Sequence, residues 1–146
     1  MSVMEHPRNV TAFQQTCQQT GGYLTEINTE DEYTHLLNFV KTSIPHGIER
    51  VMLGATVFGG NAVTDERNWV YMSPPHGSVR FLKWRGDSVT YPDKDRNCMS
   101  LLWNCCEGMH NWYCHDSLKS RYLCEREIGK QRSIHVTIYY EIKCTI

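Results

Sequence analysis

The sequence predicts an α+β domain. Two stretches of helical periodicity come first, short apolar and aromatic runs of strand type follow, and a long irregular segment interrupts those runs. Helices then strands is the α+β order, in contrast to the strand–helix alternation of a parallel α/β sheet. Seven cysteines in 146 residues add a disulfide-stapled character.

The first helix is expected over Thr11 to Thr20, where Phe13 and Cys17 stand four apart on one face. Gly21-Gly22 ends it, because glycine enters the left-handed cap cheaply. The second opens at Thr29. Thr29 and Glu32 fit a capping box, and Tyr33, Leu36, Leu37 and Val40 follow at helical spacing. Ser43 to Gly47 stops it. Both apolar stripes read as core.

Strands are expected at Val51–Ala55, Asn68–Met72, Cys98–Trp103 and Arg121–Cys124, all rich in β-branched, aromatic or other apolar residues. Ser73 to Asn97 is a long polar segment broken by Pro74, Pro75, Gly77, Gly86 and Pro92. Irregular segments of that length inside compact domains are usually functional or disordered. Trp69 and Trp103, on strand-type runs, are expected in the core.

Length favours one domain with a real core. The composition is 40% apolar and 21% charged, with a net charge of -1 and no basic run, which makes nucleic acid and acidic membranes poor partners. No apolar stretch is long enough for membrane insertion. The cysteines, Cys17, Cys98, Cys105, Cys106, Cys114, Cys124 and Cys144, imply an oxidising, extracellular setting, and their odd number leaves one for a partner chain or a free thiol. The sequon Asn9-Val10-Thr11 is compatible with secretion. The first seven residues have no signal-peptide core, so the chain is read as a mature or truncated form.

Catalytic signatures are missing: no phosphate loop, no nucleophile elbow and no HExxH motif. The chain is expected not to be an enzyme. Cys105, Cys106, His110, Cys114 and His115 lack the paired spacing of a zinc site. Arg85-Gly86-Asp87-Ser88 contains the integrin-adhesion tripeptide, a match that chance readily supplies.

Several runs stand in a telling order: Phe13-Gln14-Gln15-Thr16-Cys17, then Gly21-Gly22-Tyr23-Leu24 with Ile27, Met52-Leu53-Gly54-Ala55, Trp69-Val70-Tyr71, Asn97-Cys98-Met99-Ser100-Leu101, and Tyr122-Leu123-Cys124-Glu125. Taken together they resemble C-type lectin domains, with perlucin-like invertebrate members nearest. The resemblance covers residues 11–127, after a short lead of 1–10 and before an atypical tail of 128–146. It implies two helices flanking a small antiparallel sheet with a long loop region. It implies bridges between Cys17 and Cys124 and between Cys98 and Cys114. The family usually has a strand before its first helix. Ser133 to Ile142 alternates like an edge strand, and either replaces that strand or is foreign to the domain.

The resemblance also implies extracellular carbohydrate recognition, in many members through loop-bound calcium. The positions that match the family's calcium ligands are altered here. Tyr91-Pro92-Asp93 stands for its proline tripeptide, Arg96 occupies the place of an acid two before Cys98, and His110-Asn111 replaces an amide–acid pair. Asp93, Asp95 and Asn111 remain as calcium candidates, against the fixed cation of Arg96. Calcium is therefore expected to change little. A direct sugar site would use Trp84, Tyr91 and Trp112, with Tyr113, to stack on the sugar. Asp93, Asn97 and Asn111, with His110 beside them, would meet its hydroxyls. The alternating charges of Asp93 to Arg96 also fit a plain solvated loop.

The expected partner is a glycan or glycoprotein. Cys105, Cys106 or Cys144 is expected to link a homodimer. The competing readings are a lectin-like fold that binds a protein ligand, and a structural matrix protein without sugar binding.

Overall fold

The computed structural model describes residues 10–44, 50–86, 88–104, 106–115 and 120–126. The sequon at Asn9, Asp87 of the adhesion tripeptide, Cys105, Cys144 and the 128–146 tail lie outside them.

Helix α1 spans Val10–Gln19 and buries Val10, Phe13, Gln14 and Cys17. Gly21, at φ 81°, turns the chain, and Gly22 N–H bonds back to Cys17 O at 2.9 Å. Strand β1 is only Tyr23–Leu24. Helix α2 spans Glu30–Ser43. Thr29 Oγ1 accepts from Glu32 N–H at 3.1 Å, as the capping box requires. The Glu32 carboxylate reaches one residue further back than expected and accepts from Asn28 N–H at 2.7 Å. The expected stripe of Tyr33, Leu36, Leu37 and Val40 joins the main core with Val51, Leu53, Trp69, Leu101 and Trp103.

All eight residues of β2, Arg50–Val57, are buried, and the strand occupies the centre of the sheet. Strand β4, Cys98–Leu102, runs antiparallel along one edge of it. The other edge is shared. Strand β3, Trp69–Tyr71, pairs antiparallel at Ala55–Val57, while β6, Ser120–Tyr122, pairs at Arg50–Met52. Strand β5, Gly108–Trp112, extends the sheet beyond β4. The sheet is antiparallel as expected in its β2–β3, β2–β4 and β4–β5 pairings, and the β2–β6 pairing is parallel. Strand β7, Cys124–Glu125, pairs antiparallel with β1.

Both implied bridges are present. Cys17–Cys124 ties α1 to β7, and Cys98–Cys114 ties the start of β4 to the residues after β5. Around the first bridge a second apolar cluster forms from Val10, Phe13, Leu24, Met52 and Tyr122, with the Phe13 and Tyr122 rings stacked 4.3 Å apart. The sheet meets β1 and the residue after it at Gly54. Its N–H bonds to Thr25 O at 2.9 Å, and a Cβ there would lie 2.7 Å from Leu24 O. Among the described residues, no helix is long and apolar enough to cross a membrane.

Candidate functional site: the long-loop surface

The described residues of the segment 73–97 form no strand, only isolated bridges at Ser78 and Trp84. Polar side chains of the sheet hold the segment in place. Asn111, wholly buried on β5, does most of this. Its Oδ1 accepts from Tyr91 N–H at 3.1 Å, and its Nδ2 donates to Tyr91 O at 2.7 Å and Arg96 O at 3.0 Å. At the far end of the segment, Asn97 Nδ2 donates to Val57 O at 3.0 Å, and Asn97 O accepts from Thr56 Oγ1 at 2.6 Å.

The first half of the loop is pulled against β5. Met109 N–H donates to Lys83 O and Arg85 N–H to Met109 O, each at 2.8 Å. This approach needs Gly108: a Cβ there would sit 2.7 Å from Arg85 N. Trp84 is consequently drawn inward. It is buried and meets Trp69 edge-on at 5.3 Å.

Tyr91, Arg96, Trp112 and Tyr113, all half-buried, gather at the surface. The Arg96 guanidinium lies 3.6 Å from the Tyr91 ring centroid, 4.7 Å from Tyr113 and 5.2 Å from Trp112. Such contacts are attractive because the ring face is electron-rich. Arg96 also pairs with the exposed Asp93 at 3.4 Å. Arg50, buried at the start of β2, places its guanidinium 3.7 Å from the Trp112 ring. Trp112 and Tyr113 are 5.2 Å apart, and Trp112 and Tyr91 5.9 Å.

His110 lies beneath this group, 3% exposed, 5.2 Å from the Tyr91 ring. Burial, and then the charges of Arg50, Arg85 and Arg96, push its pKa down to about 4. It is neutral at physiological pH.

The expected site residues therefore divide. Tyr91, Asp93 and Trp112 come together near the surface, with Tyr113 and Arg96, and Asp95 is exposed in the same loop, whereas Asn97 turns its carboxamide to Val57 O and to Cys114 Sγ. Trp84, His110 and Asn111 move to the interior: the first packs in the core, the second is roofed by Tyr91, and the third has its carboxamide committed to loop backbone. Nothing in the spacing of Arg50 marks it as a neighbour of Trp112, because β2 delivers it from far along the chain.

Calcium does not fit this set. It requires six to eight oxygens. Asn111 Oδ1 is already engaged, Asp93 faces Arg96, and no three His, Cys, Asp or Glu side chains gather into a metal site among the described residues. Cys114 is bonded to Cys98 and so leaves the zinc candidates. In the adhesion tripeptide, Arg85 is half-buried and its backbone is bound to Met109.

A second cleft, of about 640 Å³, is lined in part by the beginning of the same segment, from Ser73 to Arg80, and shares no residue with the group around Arg96. Tyr23, Glu26, Asn28, Tyr71, Arg80 and Glu125 are among the residues that line it.

No family model matches the sequence, and the comparison with curated proteins finds no match. Solved structures do match. CEL-IV superposes with a TM-score of 0.58 at 20% identity, over 80% of this chain and 79% of that one. The mouse scavenger receptor C-type lectin carbohydrate-recognition domain gives 0.57 at 16% identity, over 84% of each chain. A Ca2+-dependent type II antifreeze protein, in its Ca2+-free form, gives 0.54 at 18% identity, over 74% of this chain and 77% of that one. At these identities the likeness is one of fold.

Proposed function

We propose that this C-type lectin-like domain is an extracellular recognition module that binds carbohydrate at the long-loop surface without calcium. The observation that carries the reading is the grouping of three partly exposed rings, Tyr91, Trp112 and Tyr113, with Asp93 and Arg96. Rings offer apolar faces to the C–H side of a sugar, and a few convergent polar groups fix its hydroxyls. Loop order here comes from Asn111 and from the Arg96–Asp93 pair, so no metal is needed to shape the surface. The carbohydrate-recognition domain of the mouse scavenger receptor has the same fold, which supports the reading by analogy.

One or two sugar contacts bind weakly, and a disulfide-linked dimer would present two sites at once. Cys106 is exposed and outside both bridges. Two bridges in so small a domain support a secreted location. The second reading, recognition of a protein ligand, is favoured by the separate cleft. The fold match to an antifreeze protein also shows that the architecture is not confined to lectins.

The test is a glycan array run with calcium and again with chelator. Binding in both conditions is expected. Binding in calcium alone would overturn the metal-free reading, and silence in both would favour a protein ligand.

A further inference from the structure

We propose that the sugar bound at this surface carries an acidic group, a carboxylate or a sulfate, and that Arg96 grips it in place of Asp93. This rests on the carbohydrate reading above and specifies its ligand class.

Arg96 is prepared for an anion. Its side chain is only 20% exposed, and three aromatic rings surround the guanidinium. Its one ion-pair partner among the described residues is Asp93, at 3.4 Å. A charge-assisted hydrogen bond would be about 2.7–2.9 Å. Its Nε is buried and makes no hydrogen bond among the described residues. A guanidinium offers five donors in a rigid fork that matches a carboxylate or sulfate edge-on. Asp93, an exposed side chain held loosely, is a replaceable stand-in for such a group.

The surroundings favour the same sign of ligand. Arg50 and Arg85 add to the positive field that Arg96 projects onto His110. Lys94 adds a further exposed cation, and Asp93 and Asp95 are the acids of this loop stretch. Anchored cations beside a partly dry aromatic surface act more strongly than charges in open water. Tyr113 and Trp112, next to the guanidinium, leave ring surface for the sugar that carries the anion.

The experiment is calorimetric titration of the full chain with four probes: methyl glucuronide against methyl glucoside, and galactose 6-sulfate against galactose. At low salt the acidic member of at least one pair is expected to bind about tenfold or more tighter, an advantage that shrinks as salt screens the charges. Which pair shows it identifies carboxylate or sulfate. Arg96→Gln should abolish the preference, and Arg96→Lys should keep part of it. Asp93→Asn, by removing the internal competitor, should raise the acidic-to-neutral affinity ratio. Melting temperatures of all variants verify folding. Equal affinity for acidic and neutral members would overturn the inference and leave the carbohydrate reading standing. Binding of no probe would overturn the inference, and silence on the glycan array as well would overturn the carbohydrate reading. A preference that survives in Arg96→Gln, or a ratio that falls in Asp93→Asn, would overturn the role given to Arg96.

Discussion

The Asn111 carboxamide brackets the Tyr91 peptide on both sides, accepting from its N–H at 3.1 Å and donating to its carbonyl at 2.7 Å. A strand residue thus does for the loop what a neighbouring strand would do, and a third bond to Arg96 O extends the hold.

Asn111→Ala removes all three bonds and leaves buried backbone groups without partners. A loss of about 2–4 kcal/mol is expected, since each such group costs about 1–3 kcal/mol when it cannot be re-solvated. Asn111→Asp should also destabilise, because a carboxylate cannot donate to the two carbonyls. Denaturant melts together with amide exchange at Tyr91 provide the check. Wild-type protection at Tyr91 in Asn111→Ala would refute the clamp.

Gly54 separates a packing effect from a merely conformational one. An alanine Cβ there would meet Leu24 O at 2.7 Å, and the backbone cannot retreat while Gly54 N–H holds Thr25 O. Gly54→Ala is expected to cost about 1–3 kcal/mol, as overpacking does. Gly77→Ala, where nothing lies within 4 Å, should stay within about 0.5 kcal/mol of wild type. Equal effects in thermal unfolding would show that the close approach is not what matters at Gly54.

The two bridges should differ in worth. Cys17–Cys124 closes a separation of 107 residues, against 16 for Cys98–Cys114. In the chain-entropy account the first contributes about 4–5 kcal/mol and the second about 3 kcal/mol. Paired alanine replacement of each bridge, compared by denaturant midpoint, tests the order. A larger loss from the shorter loop would point to local packing as the dominant cause.

Acid should weaken the fold through His110. Its folded pKa, about 4, lies below the ordinary 6.5, so the folded state prefers the neutral ring. The unfolded chain takes up this proton as pH falls below about 6.5, and the folded chain resists until about 4. The contribution is therefore fully present above about 6.5 and is lost as pH falls towards 4. His110→Phe keeps a ring between Tyr91 and Trp112 but cannot titrate. The stability advantage of wild type over this variant should be smaller at about pH 4.5 than at about pH 7.5. A constant difference would remove His110 from the acid response.

Much of the frame was legible because it follows from periodicity and turn chemistry. The stripe from Tyr33 to Val40, the Thr29 cap and the strands around Leu53, Val70 and Ser100 all stand close to where spacing puts them. The single strand expected over Arg121–Cys124 is two, β6 on the main sheet and β7 on β1, and two further strands escaped altogether. Tyr23–Leu24 is too short to show a period, and Gly108–Trp112 carries His110 and Asn111 where an apolar run would be expected. The bridge pairing came with the family resemblance, since spacing leaves connectivity open. The site was legible in composition but not in depth. Sequence shows that Trp84 and Asn111 sit near a polar loop. Only tertiary contacts show that one ring turns into the core and that one carboxamide is spent on backbone. Arg96 was visible as an obstacle to calcium, but the rings that cradle it come together only in three dimensions.

The shared edge of β2 has a consequence for synthesis. Arg50 and Ser120 are register partners, so the most buried strand of the sheet lacks a neighbour along half of one side until 70 further residues have been made. At about 5–20 residues per second, the ribosome takes roughly 4–14 s to supply them. Once β2 has left the ribosome, and until β6 follows, the nascent chain presents an apolar strand with an open flank, the kind of surface that pairs with other chains. Force profiles on stalled nascent chains should show no folding signal until Tyr122 has cleared the exit tunnel. An earlier signal would mean that β2 finds shelter without β6.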